Sequence, residues 1–114
     1  MIDFTVPETL YLMPRYSPAN QDRQRLCTLI QSSSAFKPDH TAAYLFCNSR
    51  RNILRIIYWD GFRFTDLVYR LERGGFVWPY TEPKFMEISL QQLERLLRGD
   101  TLNPPLETSY IFNK

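Results

Sequence analysis

Apolar positions crowd the middle of the chain. Residues 44–47, 53–59 and 62–71 are three apolar-rich stretches, separated by Asn48-Ser49-Arg50-Arg51-Asn52 and by little more than Asp60-Gly61. Connections this short join neighbouring antiparallel strands, because a parallel crossover needs a dozen residues or more. The pattern predicts a three-strand meander, with strands at about 43–48, 52–59 and 62–71, as the nucleus of the fold. Alternation places Ile53, Arg55, Ile57 and Trp59 on one face of the middle strand and Leu54, Ile56 and Tyr58 on the other. Both faces are mostly apolar, as in a central strand covered on each side. In the third strand Phe62, Phe64, Asp66, Val68 and Arg70 share a face.

The flanks read less evenly. Residues 9–13, between Pro7 and Pro14, form an expected edge strand. Ser17-Pro18 supplies an N-cap and first position for a helix over 18–32, with Leu26, Cys27, Leu29 and Ile30 as its apolar face and Ser32-Ser33-Ser34 as its end. A linker over 35–41 carries His40, the single histidine. Gly74-Gly75 permits a sharp turn, and Phe76-Val77-Trp78 begins a strand that Pro79 stops. Residues 85–88 form a last strand. Ser89 with Gln92 makes a capping box, Leu90, Leu93, Leu96 and Leu97 make the stripe of a second helix, and Gly99 ends it. Residues 100–114 read as an irregular tail, pinned through Tyr110, Ile111 and Phe112. The expected fold is α+β, one domain over 1–114 with its core at about 9–99. It is an antiparallel sheet of four to five strands with two short helices packed on it.

The turn between the second and third meander strands fixes their register. A two-residue loop at Asp60-Gly61 sets Trp59 opposite Phe62 and Arg55 directly opposite Asp66, so that the two interior charges of that face meet. A four-residue loop, Asp60 to Arg63, instead sets Trp59 opposite Phe64 and moves Asp66 to a diagonal from Arg55. The first register is the expected one, and it removes Arg55 from any set of exposed basic residues.

Composition adds a compartment and a charge map. With 114 residues, 44% apolar and 15% aromatic, the chain supports one folded domain. It has no apolar run of membrane-spanning length and no signal-peptide pattern at Met1-Ile2-Asp3-Phe4, which points to the cytoplasm and away from membranes. Cys27 and Cys47 lack paired spacing and read as two buried thiols. The net charge is only +2, but it is unevenly spread. Arg50, Arg51, Arg55, Arg63, Arg70 and Arg73 outnumber Asp60, Asp66 and Glu72, which makes the meander the basic part of the chain. Arginine forks onto phosphate and stacks on rings better than lysine.

Catalytic chemistry is hard to assemble from these residues. His40 sits in a loop without a flanking motif, and Cys27, Cys47 and His40 have neither the number nor the spacing of a zinc site. Gly74-Gly75 lacks the context of a phosphate-binding loop. Asp60, Asp66 and Glu72 are candidates for a two-metal nuclease only by their proximity in sequence. Their plainer roles are a turn, an arginine partner and a solvated strand end. No catalytic, metal or cofactor-binding residue is assigned, and no cofactor or small-molecule substrate is expected. The arginine–aromatic pattern remains, either as a nucleic-acid surface or as arginines that solubilise a sheet whose Tyr58, Trp59 and Trp78 face the core or a partner.

Four blocks, in order and at consistent intervals, carry a resemblance. They are Phe46-Cys47-Asn48-Ser49-Arg50-Arg51, Arg55-Ile56-Ile57-Tyr58-Trp59-Asp60-Gly61, Arg70-Leu71-Glu72-Arg73-Gly74 and Phe76-Val77-Trp78-Pro79. With Ile88-Ser89-Leu90, Gln92-Leu93 and Leu96-Leu97-Arg98-Gly99, they resemble the TnpB accessory proteins of the IS66 insertion sequences over roughly 10–100. That family shares only a name with the RNA-guided nucleases also called TnpB. The chain departs from it at Pro18-Ala19-Asn20-Gln21, where an Asp-Met-Arg-Lys-like block is usual, and at Val68-Tyr69, where Tyr-Lys is favoured. The resemblance implies a non-catalytic accessory protein of transposition, acting beside a separate transposase on transposon DNA or on the transposase itself. In the DNA-binding reading Arg50, Arg51, Arg63, Arg70 and Arg73 contact phosphates. In a protein–protein adaptor Trp59 and Trp78 are the anchors. A small metal-dependent nuclease is the remote alternative.

Overall fold

The computed structural model describes residues 7–15, 23–71, 76–82, 84–98 and 111–112. They form β1 (Thr9–Leu12), α1 (Arg23–Gln31), β2 (Ala42–Cys47), β3 (Ile53–Trp59), β4 (Phe64–Arg70), β5 (Trp78–Pro79), β6 (Met86–Ile88), α2 (Leu90–Leu97) and β7 (Ile111–Phe112). The main sheet has five strands in the order β4-β3-β2-β1-β6. Its two helices make the fold α+β, and most of its strand pairs are antiparallel.

The meander is present as expected. β2 pairs antiparallel with β3 from Ala42 opposite Trp59 to Cys47 opposite Leu54, and β3 pairs antiparallel with β4. One pair breaks the antiparallel expectation: β1 runs parallel to β2, from Thr9 opposite Ala42 to Leu12 opposite Leu45. The connection between them carries α1 and is long enough for a parallel crossover.

The expected edge position of the first strand is overturned as well. β1 lies inside the sheet, because β6 pairs with its other side, Leu10 opposite Ile88 and Leu12 opposite Met86. Pro7 and Pro14 flank the ladder without entering it, so neither removes a bond the sheet needs. The middle strand of the sheet is therefore β2 rather than β3, and all six of its residues are buried.

Alternation along the strands divides the core into two layers, one on each face. Leu10, Leu12, Ala43, Leu45, Cys47, Leu54 and Ile56 pack with Phe76, Trp78 and, from α2, Leu93 and Leu96. On the other face Tyr44, Phe46 and Ile57 pack with Leu26, Cys27 and Ile30 of α1. Each fully buried large side chain is worth about 1.5–3 kcal/mol, so the two helices hold the sheet from opposite sides.

In α1 the buried residues are Leu26, Cys27 and Ile30. Leu29, expected on that face, is 42% exposed, since a stripe through 26 and 30 turns position 29 outward. The hydroxyls of Ser32 and Ser33 donate to the carbonyls of Leu29 and Ile30 at 3.0 and 2.7 Å, closing the helix end. In α2 the capping box forms: Ser89 Oγ accepts from the Gln92 N–H at 3.1 Å, and Gln92 Oε1 accepts from the Ser89 N–H at 2.9 Å. Such a cap contributes about 1 kcal/mol. Leu93 and Leu96 point inward, while Leu90 at the first position is exposed.

The strand expected from Phe76 begins only at Trp78, and Pro79 is its last residue. β5 and β7 make a two-stranded antiparallel ladder, with Trp78 opposite Phe112 and Pro79 opposite Ile111. The expected Ser17-Pro18 cap, Gly74-Gly75 turn and Gly99 stop lie outside the described residues.

Candidate nucleic-acid interface

The β2–β3 turn is built by Asn48. Its Oδ1 accepts the N–H groups of Asn52 and Ile53, both at 3.0 Å, and its Nδ2 donates to Asn52 Oδ1 at 2.8 Å. Arg51 takes a left-handed conformation with φ 62°, which costs a non-glycine residue roughly 1–2 kcal/mol. Two backbone bonds offset that cost: the Arg51 N–H donates to the Asn48 carbonyl at 3.0 Å, and the Phe76 N–H donates to the Arg51 carbonyl at 2.7 Å. The turn is therefore a fixed platform, with Arg50 exposed and Arg51 half-buried. Arg70 is exposed at the same end of the sheet, because it lies opposite Ile53 at the start of β3. Among the described residues none of these three arginines has a carboxylate partner within salt-bridge distance. Arg73, expected beside them, lies outside the described residues.

Arg63 is elsewhere. The β3–β4 connection has four residues, Asp60 to Arg63, since Trp59 pairs with Phe64; the expected two-residue hairpin is overturned. Asp60 is the cause. Its Oδ1 accepts both the Phe62 and the Arg63 N–H groups at 2.9 Å, and Gly61 supplies φ +100°. Those donors, Arg63 first and then Phe62, hold the Asp60 carboxyl below its usual range, with help from the Arg63 guanidinium. Arg63 Nε stands 3.5 Å from Asp60 Oδ2. The length of β3, about 20 Å or more at ~3.3 Å per residue, separates this loop from Arg50, Arg51 and Arg70. The expected arginine set is thus divided between two ends of the sheet.

The shift of register does not break the expected ion pair. Arg55 now stands opposite Val68, and Asp66 opposite Ile57. Even so, Arg55 Nε lies 3.0 Å from Asp66 Oδ1 and its Nη2 2.5 Å from Oδ2, with the side chains 12% and 19% exposed. A diagonal cross-strand neighbour is within reach of a long side chain. Arg55 is structural and outside the basic surface.

The two tryptophans differ in burial. Trp78 is fully buried, and its Nε1 donates to the Met13 carbonyl at 2.9 Å. That removes it as a partner anchor, because its ring and its polar atom are both satisfied within the chain. Trp59 is half-buried. It packs on Phe64 and Phe36 at centroid distances of 4.8 and 5.3 Å and donates to the Pro38 carbonyl at 3.0 Å. Among the described residues the exposed aromatic is instead Phe62, at 89%, which the sequence pattern places in a strand. The Asp-Gly-Phe-Arg order was the available signal, since an aspartate two residues before a backbone N–H commonly turns the chain.

His40 is exposed, with Nδ1 2.7 Å from Glu8 Oε1. Cys27 and Cys47 are buried free thiols belonging to opposite core layers. Burial pushes both up, Cys47 to about 12 against a smaller opposing effect of Arg51. Among the described residues no group of three His, Cys, Asp or Glu side chains could hold a metal ion, and no helix is long and apolar enough to cross a membrane. Guanidinium groups on a fixed turn can bind phosphate.

Comparison with known proteins agrees with the sequence blocks. The chain is 32% identical over 83 residues to the uncharacterized protein y4hO of Sinorhizobium fredii (strain NBRC 101917 / NGR234), covering 73% of this chain and 72% of that one. No solved structure matches it. The sequence model described as IS66 Orf2 like protein matches residues 8–106. The chain belongs to this IS66 family of TnpB accessory proteins of transposition.

Proposed function

We propose that the chain serves transposition without performing chemistry itself, by holding transposon DNA through its phosphates at the β2–β3 end of the sheet. The observation that carries this reading is the fixed Arg50-Arg51 turn, flanked by Arg70, with no carboxylate partner for any of the three among the described residues. Arg73, expected from the sequence to contact phosphates with them, lies outside the described residues. Arg63 forms a lesser site at the opposite end. The absence of catalysis is supported by what the carboxylates do: Asp60 organises a turn and Asp66 holds Arg55, so neither is left to bind a metal ion. Action on DNA in a bacterial cell places the protein in the cytoplasm, beside the transposase.

The adaptor reading, in which the transposase is the direct partner, has lost Trp78 to the core. It rests now on half-buried Trp59 and on Phe62, an exposed ring held on an ordered loop. Salt-titrated binding to transposon-end and random DNA separates the two. A steep salt dependence is expected, with both DNAs bound, because phosphate contacts release counterions and carry no sequence information. Absent binding, or binding indifferent to salt, would give the function to the adaptor. Cleavage of either DNA in magnesium or manganese, lost in Asp60→Ala or Asp66→Ala, would return the protein to the nucleases.

A further inference from the structure

The free edge of the main sheet is β4, and its backbone pattern can be read from its two ends. The Leu71 N–H donates to the Asn52 carbonyl and the Asp60 N–H to the Arg63 carbonyl. Bonded and non-bonded pairs alternate along an antiparallel ladder. Thr65, Leu67 and Tyr69 therefore bond to β3, while Phe64, Asp66, Val68 and Arg70 turn their N–H and C=O groups outward. The first of these is closed off, since Arg23 Nη2 donates to the Phe64 carbonyl at 2.5 Å. No strand of the described residues lies beyond Asp66, Val68 and Arg70.

Edges of this kind are commonly guarded by lysine, proline, a bulge or an inward charge. Phe64–Arg70 has none of the first three: its sequence is Phe-Thr-Asp-Leu-Val-Tyr-Arg, and its register with β3 is unbroken. The inward charge is Asp66, which Arg55 holds from the β3 side without removing its negative charge from the edge. At the centre of the open stretch stands Val68, 56% exposed, a β-branched residue suited to a strand that pairs on both sides.

We infer that β4 pairs antiparallel with β4 of a second copy of this chain, about a two-fold axis at Val68. That register is the self-complementary one. Val68 meets Val68 of the second copy, and Asp66 meets Arg70 of the second copy, twice by symmetry. On the other face Leu67 meets Tyr69, both half-buried in the single chain. The pairing uses the outward groups of Asp66, Val68 and Arg70 and stops short of the carbonyl that Arg23 occupies. The occupant is a second copy rather than an unrelated strand because the charges along the edge match when the edge is reversed onto itself. This inference does not depend on DNA binding; Arg50 and Arg51 lie off the seam, and Arg70 is shared between the two surfaces.

Sedimentation of the full chain over rising concentration tests it. A reversible dimer is expected, weakened at least about tenfold by Val68→Lys and by Arg70→Glu, which sets like charges opposite each other. Both positions are exposed, and circular dichroism of the variants should match the parent. Register has its own test. Two residues directly opposite in a bonded pair have Cα atoms about 5.5 Å apart, within disulfide range. Val68→Cys should therefore oxidise to a covalent dimer much faster than Thr65→Cys, whose counterpart lies several residues away along the seam. A chain that stays monomeric, a dimer indifferent to both charge variants, or equal cross-linking at 65 and 68 would each overturn the proposal.

Discussion

At one end of the meander Asn48 folds its carboxamide over the turn and accepts the N–H groups of Asn52 and Ile53; at the other, Asp60 does the same for Phe62 and Arg63 with a carboxylate. The two turns share a hydrogen-bonding plan and differ by one charge. Because the amide is neutral, Arg50 and Arg51 keep theirs. Because the acid is ionised, Arg63 has a counter-charge beside it, and what the loop presents most fully is the ring of Phe62. The electrostatics of a sheet end depend on which side chain organises its turn, and not simply on how many arginines the segment contains.

The largest effect should come from removing the uncompensated charges. Arg50→Ala with Arg51→Ala should flatten the salt dependence of DNA binding by up to about two units of log–log slope and weaken all sequences alike. Fluorescence anisotropy across a salt series reads both. Unchanged binding would mean that the β2–β3 turn is only solvated, and the contrast between the ends would lose its functional meaning.

A subtler change moves the character of one turn onto the other. Asn48→Asp can still accept from Asn52 and Ile53, but it puts a carboxylate under Arg50 and Arg51. DNA binding should fall several-fold, roughly the loss of one phosphate contact, with the fold retained by circular dichroism. The converse change, Asp60→Asn, keeps the acceptor and releases Arg63, so binding should rise by a factor of about two or three at low salt, where distant charges are least screened. A decrease would show that Asp60 serves the loop through its charge and not through its geometry.

The smallest effect is a titration. A depressed carboxyl stabilises its loop above the ordinary carboxylate range, near about 3.9, and the contribution is lost as pH falls through the depressed value. The amide resonances of Phe62 and Arg63 should therefore move on acidification with a midpoint below that range. Those of Asn52 and Ile53, held by a group that does not titrate, should stay in place while the fold persists. Concerted movement of all four would mean global acid unfolding instead.

Local features were legible in the sequence, and distant ones were not. The meander and the capping box rest on neighbouring residues, and both stand where the pattern put them. The place of β1 depends on residues 42–45 and 86–88, and no spacing near Thr9 announces either partner. Asp60-Gly61 on its own predicts a two-residue hairpin, because that dipeptide favours one. The carboxylate captured two further N–H groups and drew Phe62 and Arg63 into the loop. The Arg55–Asp66 pair was right for a partly wrong reason, since an arginine reaches a diagonal carboxylate as well as an opposite one. Trp78 was ambiguous by nature, as a large ring with one polar atom suits an interface and a core equally. The division of the arginines followed from the meander itself, whose successive turns must fall at opposite ends.

The interior position of β1 also has a consequence in time. A ribosome delivers about 5–20 residues per second, so β1 waits on the order of seconds after its synthesis before Met86–Ile88 exists to cover its second edge. Meanwhile β2, β3 and β4, joined by short turns, close at low entropic cost. Leu10 and Leu12 must spend that interval beside an incomplete sheet, where a foreign strand could add in place of β6. In pulse-labelled refolding the amides of Ile56 and Ile57 should gain protection before those of Leu10 and Leu12; the reverse order would mean that β1 nucleates the fold.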